Sequence, residues 1–402
     1  MKIKIHRGSH QIGGSITEIK TESARIIIDI GSELPSADTK KVANFEIEGV
    51  TAGVPDCDGV FITHYHGDHV GEFEKVLPEV PIYMGEVAKK IYLTLQRKIK
   101  RGKPDIVEMF KTFEAGKPII IKDIKITPYM IDHSAFDAYM LLIEAEGKRI
   151  LHTGDFRMHG ARGRKMPAVF EKYAKNIDVL IIEGTMLSRS GEKVMTEHEL
   201  GRKAKELIQD NKSVFVFCSS TNIDSIAQFY SATIQSKKPF IVIDDYQQEI
   251  LKIVTNNSRS SLYDFSKQKI YAYSTRNKKL HEYMKDRGFC MLIRAGKISE
   301  KVVKEFPNSL LIYSMWEGYL NKNHTAFNES ISNIVGTAKE VGSKYQYLHT
   351  SGHATVDDIK KVCEITNAKM IIPIHTEAPE VFTKMSIAGE IVLLKDGEGV
   401  TV

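Results

Sequence analysis

The sequence has 402 residues, of which 42% are apolar and 27% charged, and its formal net charge is +5. This composition is typical of a folded globular protein and excludes an intrinsically disordered chain. No apolar run is long enough to predict a membrane-spanning helix. The segment from Met1 to His10 is charged and alternating, which predicts a first strand rather than a signal peptide. We therefore expect a cytoplasmic protein.

The four cysteines are widely separated in the sequence and form no CxxC pair. They are Cys57, Cys218, Cys290 and Cys363. This spacing predicts neither a disulfide framework nor a thiolate zinc site. The positive net charge permits a phosphate-rich partner, but it does not identify one by itself.

Several short segments rich in β-branched residues each end in a polar residue. The predicted strands are residues 25–30, 59–63, 149–151, 179–182 and 370–374. The polar residues at or just after their ends are Asp29, His64, Asp155, Glu183 and His375. Strands that all deliver polar side chains at their carboxyl ends predict a site along one edge of a sheet.

Between about residues 193 and 344 the pattern changes to alternating helices and strands. Thr196 and Glu199 form a capping-box signal for a helix that runs to about Asp210. Further predicted strands are residues 213–218, 239–243 and 310–313, and further predicted helices are residues 222–234 and 247–254. This alternation predicts a parallel sheet with helices on both faces. Strands of the first type resume at Tyr345, so we expect an inserted domain at 193–344 that interrupts a first domain formed by 1–192 and 345–402.

The most informative segment reads Thr-His-Tyr-His-Gly-Asp-His over residues 63–69. It offers His64, His66, Asp68 and His69 within six residues, and imidazole with carboxylate suits zinc or manganese. Alternating His64 and His66 can point to one side of an extended segment, and the turn at Gly67 can direct the next two ligands to a second ion. Two adjacent ions need about seven ligands, including a bridging carboxylate that this segment does not supply.

Three residues further along the chain are candidates for the missing ligands. His133, Asp155 and His375 each follow a predicted strand, although their spacing alone leaves metal binding open. The isolated histidines His6 and His10 and the helical His198 and His281 are expected to be ordinary core or surface residues.

The segment from His64 to His69 resembles the signature of the metallo-β-lactamase superfamily. The order of Asp29, this segment, His133 and Asp155 is similar to that family's set of fold motifs. The resemblance implies an α/β fold in which an αββα sandwich carries the site. It also implies that Asp29 is not a ligand and instead braces the histidine-bearing loop.

Three later segments resemble the β-CASP branch, whose members process nucleic acids. They are Ile-Ile-Glu-Gly-Thr around Glu183, His-Thr-Ser-Gly-His-Ala around His353 and Pro-Ile-His-Thr-Glu around His375. An inserted α/β domain with a parallel sheet is the architecture of that branch. The His-Thr-Ser-Gly-His-Ala segment is also similar to the ribonuclease J family. The sequence departs from the family pattern at two points. It has Gly184 where relatives commonly have serine, and the sequence after His375 is too short to hold that family's C-terminal domain. The oligomeric state is therefore left open, with a homo-oligomer as one possibility.

The resemblance assigns roles to the candidate ligands. It implies two divalent ions, most simply zinc with manganese as the alternative. One ion would be held by His64, His66 and His133 and the other by Asp68, His69 and His375. Asp155 would bridge the two ions. The implied chemistry is two-metal phosphodiester hydrolysis. In addition to Asp68 and Asp29, catalysis is expected to need His353, which would protonate the leaving oxygen or stabilise the transition state, and Glu183, which would orient it.

The insert is expected to supply the contacts to substrate. Ser219, Ser220, Thr221 and Asn222 resemble the family's hydroxyl-rich phosphate loop, although such residues can equally cap the helix that follows. His349 and Ser351 are further candidates for binding a terminal phosphate. Basic stretches at 97–103, 157–165 and 276–279 are typical of solvated faces, and only 157–165, directly after Asp155, is predicted to contact a nucleic-acid backbone. Tyr313 and Trp316 are expected to pack in the core or between domains rather than stack on bases.

These features predict a metal-dependent ribonuclease that acts on single-stranded RNA, with exonuclease, endonuclease and polarity left open. A β-CASP DNA nuclease is the first alternative, and His375 argues against it because DNA-cutting members tend to carry valine there. A small-molecule hydrolase of the same fold would lack the insert and the Ser-Gly-His segment. A non-catalytic subunit would be expected to have lost metal ligands, whereas all seven candidates are present.

Overall fold

The computed structural model describes residues 1–34, 45–189 and 191–402. These residues form two compact units, of which the first comprises Met1–Lys193 and Gly352–Val402 and the second comprises Val194–Ser351. None of the described helices combines the length and the apolar character that crossing a membrane requires.

Strands and helices alternate along much of the chain. In chain order the strands are β1 (Lys2–Arg7), β2 (Ile16–Lys20), β3 (Arg25–Ile28), β4 (Gly59–Phe61), β5 (Ile82–Gly85), β6 (Lys111–Phe113), β7 (Ile119–Ile121), β8 (Ile124–Met130), β9 (Tyr139–Ala145), β10 (Lys148–His152), β11 (Val179–Glu183), β12 (Ser213–Phe217), β13 (Phe240–Val242), β14 (Ile270–Ala272), β15 (Phe289–Ile293), β16 (Leu310–Tyr313), β17 (Lys344–Tyr347), β18 (Met370–Ile374), β19 (Glu390–Ile391) and β20 (Gly399–Thr401). The α-helices are α1 (Gly67–Val70), α2 (Glu86–Lys98), α3 (Pro104–Glu108), α4 (Met166–Tyr173), α5 (Glu197–Asp210), α6 (Ile223–Gln235), α7 (Asp245–Asn257), α8 (Lys278–Arg287), α9 (Lys297–Glu305), α10 (Glu329–Glu340) and α11 (Val356–Thr366).

The first unit is a sandwich of two sheets. Its described strands form one sheet in the order β20-β1-β2-β3-β4-β5-β6 and another in the order β19-β18-β11-β10-β9-β8-β7. Side chains from both sheets, including Ile26 and Phe61 on one and Leu141 and Ile181 on the other, share one buried apolar core. Helix α2 packs on β5 and β6, and α11 packs on β11. The layers are therefore helix, sheet, sheet and helix, as the sequence predicts.

Burial patterns explain how these strands are arranged. In β1, Ile3 and Ile5 are buried while Lys2 is exposed, which is the alternation expected of a strand with one covered face. All five residues of β11 are buried, as expected for a central strand covered on both faces. The burial pattern therefore distinguishes a strand with one covered face from a strand that is covered on both faces.

The second unit contains one parallel sheet. Its described strands lie in the order β14-β13-β15-β12-β16-β17, and every neighbouring pair is parallel. Thr196 and Glu199 form the predicted capping box at the start of α5, and this helix ends at Asp210 as expected. The predicted α/β class with a parallel sheet in the inserted unit is confirmed.

The chain returns to the first unit later than the sequence pattern predicts. Residues 344–347 form β17, which pairs in parallel with β16 and so belongs to the sheet of the second unit. The return to the first unit lies at Gly352 rather than at Tyr345. The residues of β17 are mostly polar and exposed. Composition therefore does not reveal that this strand pairs with β16.

Candidate metal centre

The carboxyl ends of several strands meet at one edge of each sheet in the first unit. In one sheet β3 and β4 are parallel, and in the other β10, β11 and β18 are parallel. Strand β8 has the same direction as β10 because each is antiparallel to β9. The residues at or just beyond these ends are Asp29, His64, His133, Asp155, Glu183 and His375. The topology therefore collects side chains that are far apart in sequence.

The histidine-bearing loop leaves β4 and turns into the short helix α1. Backbone hydrogen bonds tie it to the end of β3, from Ile30 N–H to the His69 carbonyl and from Ser32 N–H to the Gly67 carbonyl. A Cβ atom on Gly31 would lie 1.6 Å from the carbonyl oxygen of Asp68, so only glycine permits this close approach.

Asp29 is completely buried and fixes this loop. Its carboxylate accepts hydrogen bonds from the Thr63 backbone N–H at 2.7 Å and from Nδ1 of His69 at 2.7 Å. The Thr63 hydroxyl donates to the same carboxylate at 2.9 Å. Because Nδ1 of His69 carries the proton in this contact, its Nε2 is left to face the site.

One group of donors contains His64, His66 and His133. Their nearest ring nitrogens lie within 4.8 Å of one another. His133 Nδ1 donates to the carbonyl oxygen of Gly352 at 2.7 Å, so its Nε2 carries a lone pair and lies 3.2 Å from Nδ1 of His66. A side chain at Gly352 would approach Ser134 Oγ at 2.8 Å, which explains why glycine precedes His353 here.

A second group contains Asp68, His69 and His375. Nε2 of His375 lies 3.2 Å from a carboxylate oxygen of Asp68. Its other ring nitrogen lies 2.8 Å from the Thr185 hydroxyl, which also donates to the His375 carbonyl oxygen at 3.2 Å. Thr185 therefore orients His375, a role that nothing in the sequence indicated beyond its place in the Glu-Gly-Thr segment.

Asp155 lies between these two groups and is 2% exposed. One of its oxygens is 3.1 Å from Nε2 of His69 and 3.8 Å from Nε2 of His64, and the other is 3.8 Å from Nδ1 of His375. We call His64, His66, Asp68, His69, His133, Asp155 and His375 the donor cluster. The structure brings all seven predicted ligands together.

Four buried atoms of the donor cluster lack any hydrogen bond within the described part of the chain. They are Nε2 of His64, Nε2 of His69 and both carboxylate oxygens of Asp155. Buried polar atoms are normally hydrogen-bonded, so such a concentration needs an explanation. Imidazole nitrogens and carboxylate oxygens are the donors that a zinc or manganese ion takes, and a divalent cation would satisfy all four atoms.

The protonation states also suit a cation. Burial, with the neighbouring His69 and His133 rings, holds the pKa of His64 well below its usual value, and burial lowers the pKa of His66 to about 4. These neutral imidazoles are the form that binds metal. Burial opposes ionisation of Asp155, but the adjacent His375 and His69 rings outweigh it and hold the pKa of that carboxyl well below its usual range.

Glu183 and His353 lie beside the donor cluster. Glu183 is completely buried, and its carboxylate accepts hydrogen bonds from the backbone N–H groups of Phe156 at 3.0 Å and Ala354 at 3.3 Å. His353 Nδ1 lies 3.3 Å from Glu183 and 3.5 Å from Asp155. Burial opposes protonation of His353, but the two carboxylates outweigh it and raise its pKa. The site therefore combines a proton-bearing imidazole with a set of metal donors.

The predicted substrate residues belong to the second unit. Ser219, Ser220, Thr221 and Asn222 follow β12, and His349 and Ser351 follow β17. Asn222 caps α6, since its side chain accepts a hydrogen bond from Ser225 N–H at 3.3 Å. The capping role that the sequence left open thus applies to Asn222, while Ser219 remains exposed.

Tyr313 is completely buried, and its hydroxyl donates to the carbonyl oxygen of Trp316 at 3.0 Å. Trp316 is only half-buried and lies edge-on against Tyr319. The expectation of core packing therefore describes Tyr313 better than Trp316.

The predicted backbone-contacting loop 157–165 needs a correction at its first residue. Arg157 is completely buried, its N–H donates to the Asp132 carbonyl at 2.8 Å, and its Nε lies 3.5 Å from the Asp132 carboxylate. Burial and this ion pair exclude Arg157 from contact with a nucleic acid. Instead, the pair joins the segment after Asp155 to the one that carries His133, a role that the sequence did not indicate.

Two family models match the chain. One, described as "Beta-lactamase superfamily domain", matches residues 25–212, and the other, "Zn-dependent metallo-hydrolase RNA specificity domain", matches residues 340–381. Together these ranges contain the seven residues of the donor cluster, as well as Asp29, Glu183 and His353.

Relatives and a solved structure extend the comparison to the whole chain. Ribonuclease J of Helicobacter pylori (strain B128) is 23% identical over 100% of this chain and 60% of its own length. Ribonuclease J of Mycoplasma genitalium is 23% identical over 99% of this chain and 73% of its own length, and an RNase J-like protein of Methanocaldococcus jannaschii is 28% identical over 53% and 50%. The chain thus spans well under two thirds of the H. pylori relative. A crystal structure of a protein of unknown function from Enterococcus faecalis V583 has the same fold, with a TM-score of 0.79 at 22% identity over 100% of this chain and 99% of that one.

The family model over residues 340–381 and the imidazole and carboxylate groups of the donor cluster support the use of a divalent metal ion. The full-length similarity and the inserted parallel sheet agree with the motifs around Glu183, His353 and His375. These findings support a ribonuclease J-like protein of the metallo-β-lactamase superfamily, in its β-CASP branch.

Proposed function

We propose that this protein is a metal-dependent ribonuclease that hydrolyses phosphodiester bonds in single-stranded RNA. The observation that carries the proposal is the concentration of four buried atoms without hydrogen bonds in the donor cluster, directly beside His353 and Glu183. The similarity to ribonuclease J of two bacteria and to an RNA specificity domain supports RNA as the substrate. In this proposal the first unit holds the catalytic centre and the second unit grips the substrate.

We further propose that the donor cluster holds two divalent cations, with zinc preferred to manganese. His64, His66 and His133 would hold one ion, Asp68, His69 and His375 the other, and Asp155 would bridge them. Two cations held there would supply a hydroxide near neutral pH and would neutralise charge on the scissile phosphate. Asp29 would act through the loop, because its carboxylate holds His69 and Thr63 and is not one of the seven proposed ligands.

His353 and Glu183 are assigned the proton transfer. The Glu183 carboxylate is held in place by hydrogen bonds from the backbone N–H groups of Phe156 and Ala354. It therefore orients the His353 ring through its contact with Nδ1. The raised pKa favours the protonated form of His353. It can therefore donate a proton to the sugar oxygen as the P–O bond breaks, and this donation lowers the cost of expelling an alkoxide.

The second unit offers hydroxyl groups that suit a phosphate. The Ser219 and Thr221 hydroxyls lie 3.0 Å apart at the carboxyl end of β12, and Ser220 is fixed by Gln247 at 3.0 Å. We propose that this loop, with His349 and Ser351, binds substrate phosphates, and that a monophosphorylated 5′ end directs 5′-to-3′ exonuclease action. A cytoplasmic location is part of the proposal and is supported by the four buried cysteines, which are all free.

Cleavage of end-labelled RNAs tests this function. Two RNAs that differ only in a 5′ monophosphate or 5′ hydroxyl, and a DNA of matched sequence, are incubated with the protein in zinc or manganese. We expect processive shortening of the monophosphorylated RNA, slower cleavage of the hydroxyl form and little cleavage of DNA. Preferential cleavage of the DNA would favour a β-CASP DNA nuclease, and no cleavage of either polymer with full metal occupancy would overturn the proposal.

Metal binding should release a proton from His69. Burial opposes protonation of this ring, but the carboxylates of Asp155 and Asp29 outweigh it and raise the pKa of His69 well above its usual value. The raised pKa favours a second proton on His69, at Nε2, in the metal-free protein, and an ion bound at that atom must displace it. Calorimetric titration with zinc in buffers of different ionisation enthalpy should report about one proton released per chain near pH 7.

Asp29→Asn provides the comparison for this titration. It removes one of the two carboxylates that raise the pKa of His69, so fewer protons should be released on binding. A binding enthalpy that does not depend on the buffer would contradict the assignment of His69 as a ligand.

A further inference from the structure

The carboxyl edge of the parallel sheet in the second unit carries cations that the metal-centre chemistry does not use. Pairing places Phe217 of β12 opposite Ile293 of β15, and Val242 of β13 opposite Leu292. The next residue after β15 is Arg294. It therefore stands between the Ser219–Asn222 loop on one side and the end of β13 on the other.

Arg294 is held in place but retains a donor group. Its Nε and Nη2 lie 3.1 Å and 2.5 Å from Oδ2 of Asp244, and its guanidinium lies 5.9 Å from the centre of the Tyr246 ring. Within the described residues Nη1 has no hydrogen bond, and the side chain is 39% exposed. An arginine fixed on one side by a carboxylate and open on the other is preorganised for a second oxyanion.

The adjacent loop is fixed in a similar way. Gln247 is 1% exposed, accepts a hydrogen bond from Ile243 N–H and donates one to Ser220 Oγ at 3.0 Å. This buried amide ties the loop after β12 to the start of α7. The exposed Ser219 hydroxyl lies 3.0 Å from the Thr221 hydroxyl. Because β12 pairs with β15, this fixed loop presents its hydroxyl groups at the same sheet edge as Arg294.

Two helices that begin at this edge carry basic residues where the helix dipole disfavours them. Helix α9 begins with Lys297 and has Glu300 as the acidic residue of its first turn, whereas α8 begins with Lys278 and Lys279 and has no acidic residue there. Helices α5, α7 and α10 each have an acidic residue in the first turn, as the dipole favours. Cations kept at unfavourable positions are often functional, and here they suit an anionic partner. Asp245, which is exposed, and Glu300, which is partly exposed, are carboxylates that oppose these cations, whereas Asp244 is neutralised by Arg294.

The aromatic rings at this edge are buried. Tyr246 is 8% and Tyr273 is 6% exposed, so neither ring offers a face on which a base could stack. Recognition here would therefore use phosphates rather than bases and would be independent of sequence.

We propose that Arg294 and Lys297, with the hydroxyl groups of Ser219 and Thr221, form a binding site for the phosphate backbone of single-stranded RNA. This inference deepens the proposed function and rests on it. The Nη1 group of Arg294 donates to one phosphate, the Lys297 ammonium neutralises a neighbouring one, and the site lengthens the stretch of RNA that the second unit holds.

Salt-dependent RNA binding tests the site. The full chain carries Asp68→Asn so that the RNA stays intact, and anisotropy of a labelled single-stranded RNA is measured against KCl concentration. Arg294→Gln with Lys297→Gln should reduce the slope of log affinity against log salt by about 1.4, because each phosphate contact contributes about 0.7 for a single strand. Affinity at low salt should fall by roughly tenfold.

The matched control also removes one arginine and one lysine charge, in this case from the C-terminal end of α8. Lys285→Gln with Arg287→Gln affects exposed residues in the last turn of that helix and should leave both slope and affinity near the starting values. Adding Asp244→Asn to the test pair excludes the explanation that an unpaired Asp244 repels RNA, because asparagine keeps the oxygen that caps α7. Binding should stay weak in this triple variant.

Three outcomes would overturn the inference. Equal losses in the test and control pairs would mean that only net charge matters, and unchanged binding in the test pair would remove the site. Strong competition by uridine monophosphate at this site would assign it to a free nucleotide instead. If the unsubstituted protein cleaves RNA while the test pair binds normally, only this inference fails, whereas a protein that neither binds nor cleaves RNA refutes the proposed function as well.

Discussion

Replacing Asp155 with asparagine should abolish RNA cleavage, with a loss of at least roughly 10³-fold. Asp155 supplies both oxygens that face the two halves of the donor cluster, and neither has a hydrogen bond within the described chain. Asparagine keeps the shape but puts an amide nitrogen at one of these positions. An amide nitrogen cannot bind a cation, so we expect metal content to fall together with activity.

The same change should leave the metal-free fold intact. Asp155 is buried, and the adjacent His375 and His69 rings hold the pKa of its carboxyl well below its usual range, so its negative charge stabilises the metal-free fold. Thermal unfolding in a chelator should therefore occur at the same temperature or a lower one. In excess zinc the variant should lose the stabilisation that metal gives to the unsubstituted protein.

Metal analysis by mass spectrometry, cleavage rate and thermal unfolding together check this prediction. Asp56→Asn is the control, since this side chain is 70% exposed and lies at the surface. It should keep metal content and rate. An Asp155→Asn protein with normal metal content and a normal rate would contradict the bridging assignment.

The sequence predicted the parts of the site that are local. His64, His66, Asp68 and His69 lie within six residues, so their composition alone indicates a metal site. His133, Asp155 and His375 converge only because parallel strands end at one edge, and identifying them needed either the topology or a family resemblance. A lone histidine after a strand carries too little information by itself.

Residues that act through buried contacts were not predictable. Arg157 looked like part of a basic surface loop, and only its burial against Asp132 reveals a structural role. Thr185 was visible only as a member of the Glu-Gly-Thr segment, although it orients His375. In the second unit, β14 and β15 were missed, and β17 was assigned to the other unit because its exposed residues give no apolar pattern. Each error concerns partners that are distant in sequence.

His353→Ala should lower the rate of RNA cleavage by roughly 10² to 10⁴-fold and leave metal content unchanged. His353 is the proton-bearing group beside the cluster, 3.3 Å from Glu183 and 3.5 Å from Asp155. It is not one of the seven proposed ligands, so its loss should not empty the metal site. His6→Gln is the control, since His6 pairs with Glu18 on the first sheet and should be dispensable for cleavage.

The pH dependence separates a proton donor from a residue that merely packs. The carboxylates of Glu183 and Asp155 raise the pKa of His353 in spite of its burial, so the ring is protonated below that pKa and loses its proton as the pH rises through it. Cleavage that needs the protonated ring must therefore decline on the alkaline side. The His353→Ala protein should lack this decline, whereas Glu183→Gln should shift it to lower pH because one carboxylate that stabilises the proton is gone.

A substrate with sulfur in place of the leaving oxygen gives the sharpest test of this role. A thiolate leaves without protonation, so general-acid assistance contributes little to its departure. If His353 donates the proton, His353→Ala should cleave the sulfur substrate almost as fast as the unsubstituted protein does, although it cleaves ordinary RNA slowly. An equal loss on both substrates would mean that His353 acts on the phosphate oxygens or on the position of the metals, and the proton would have to reach the leaving oxygen from water.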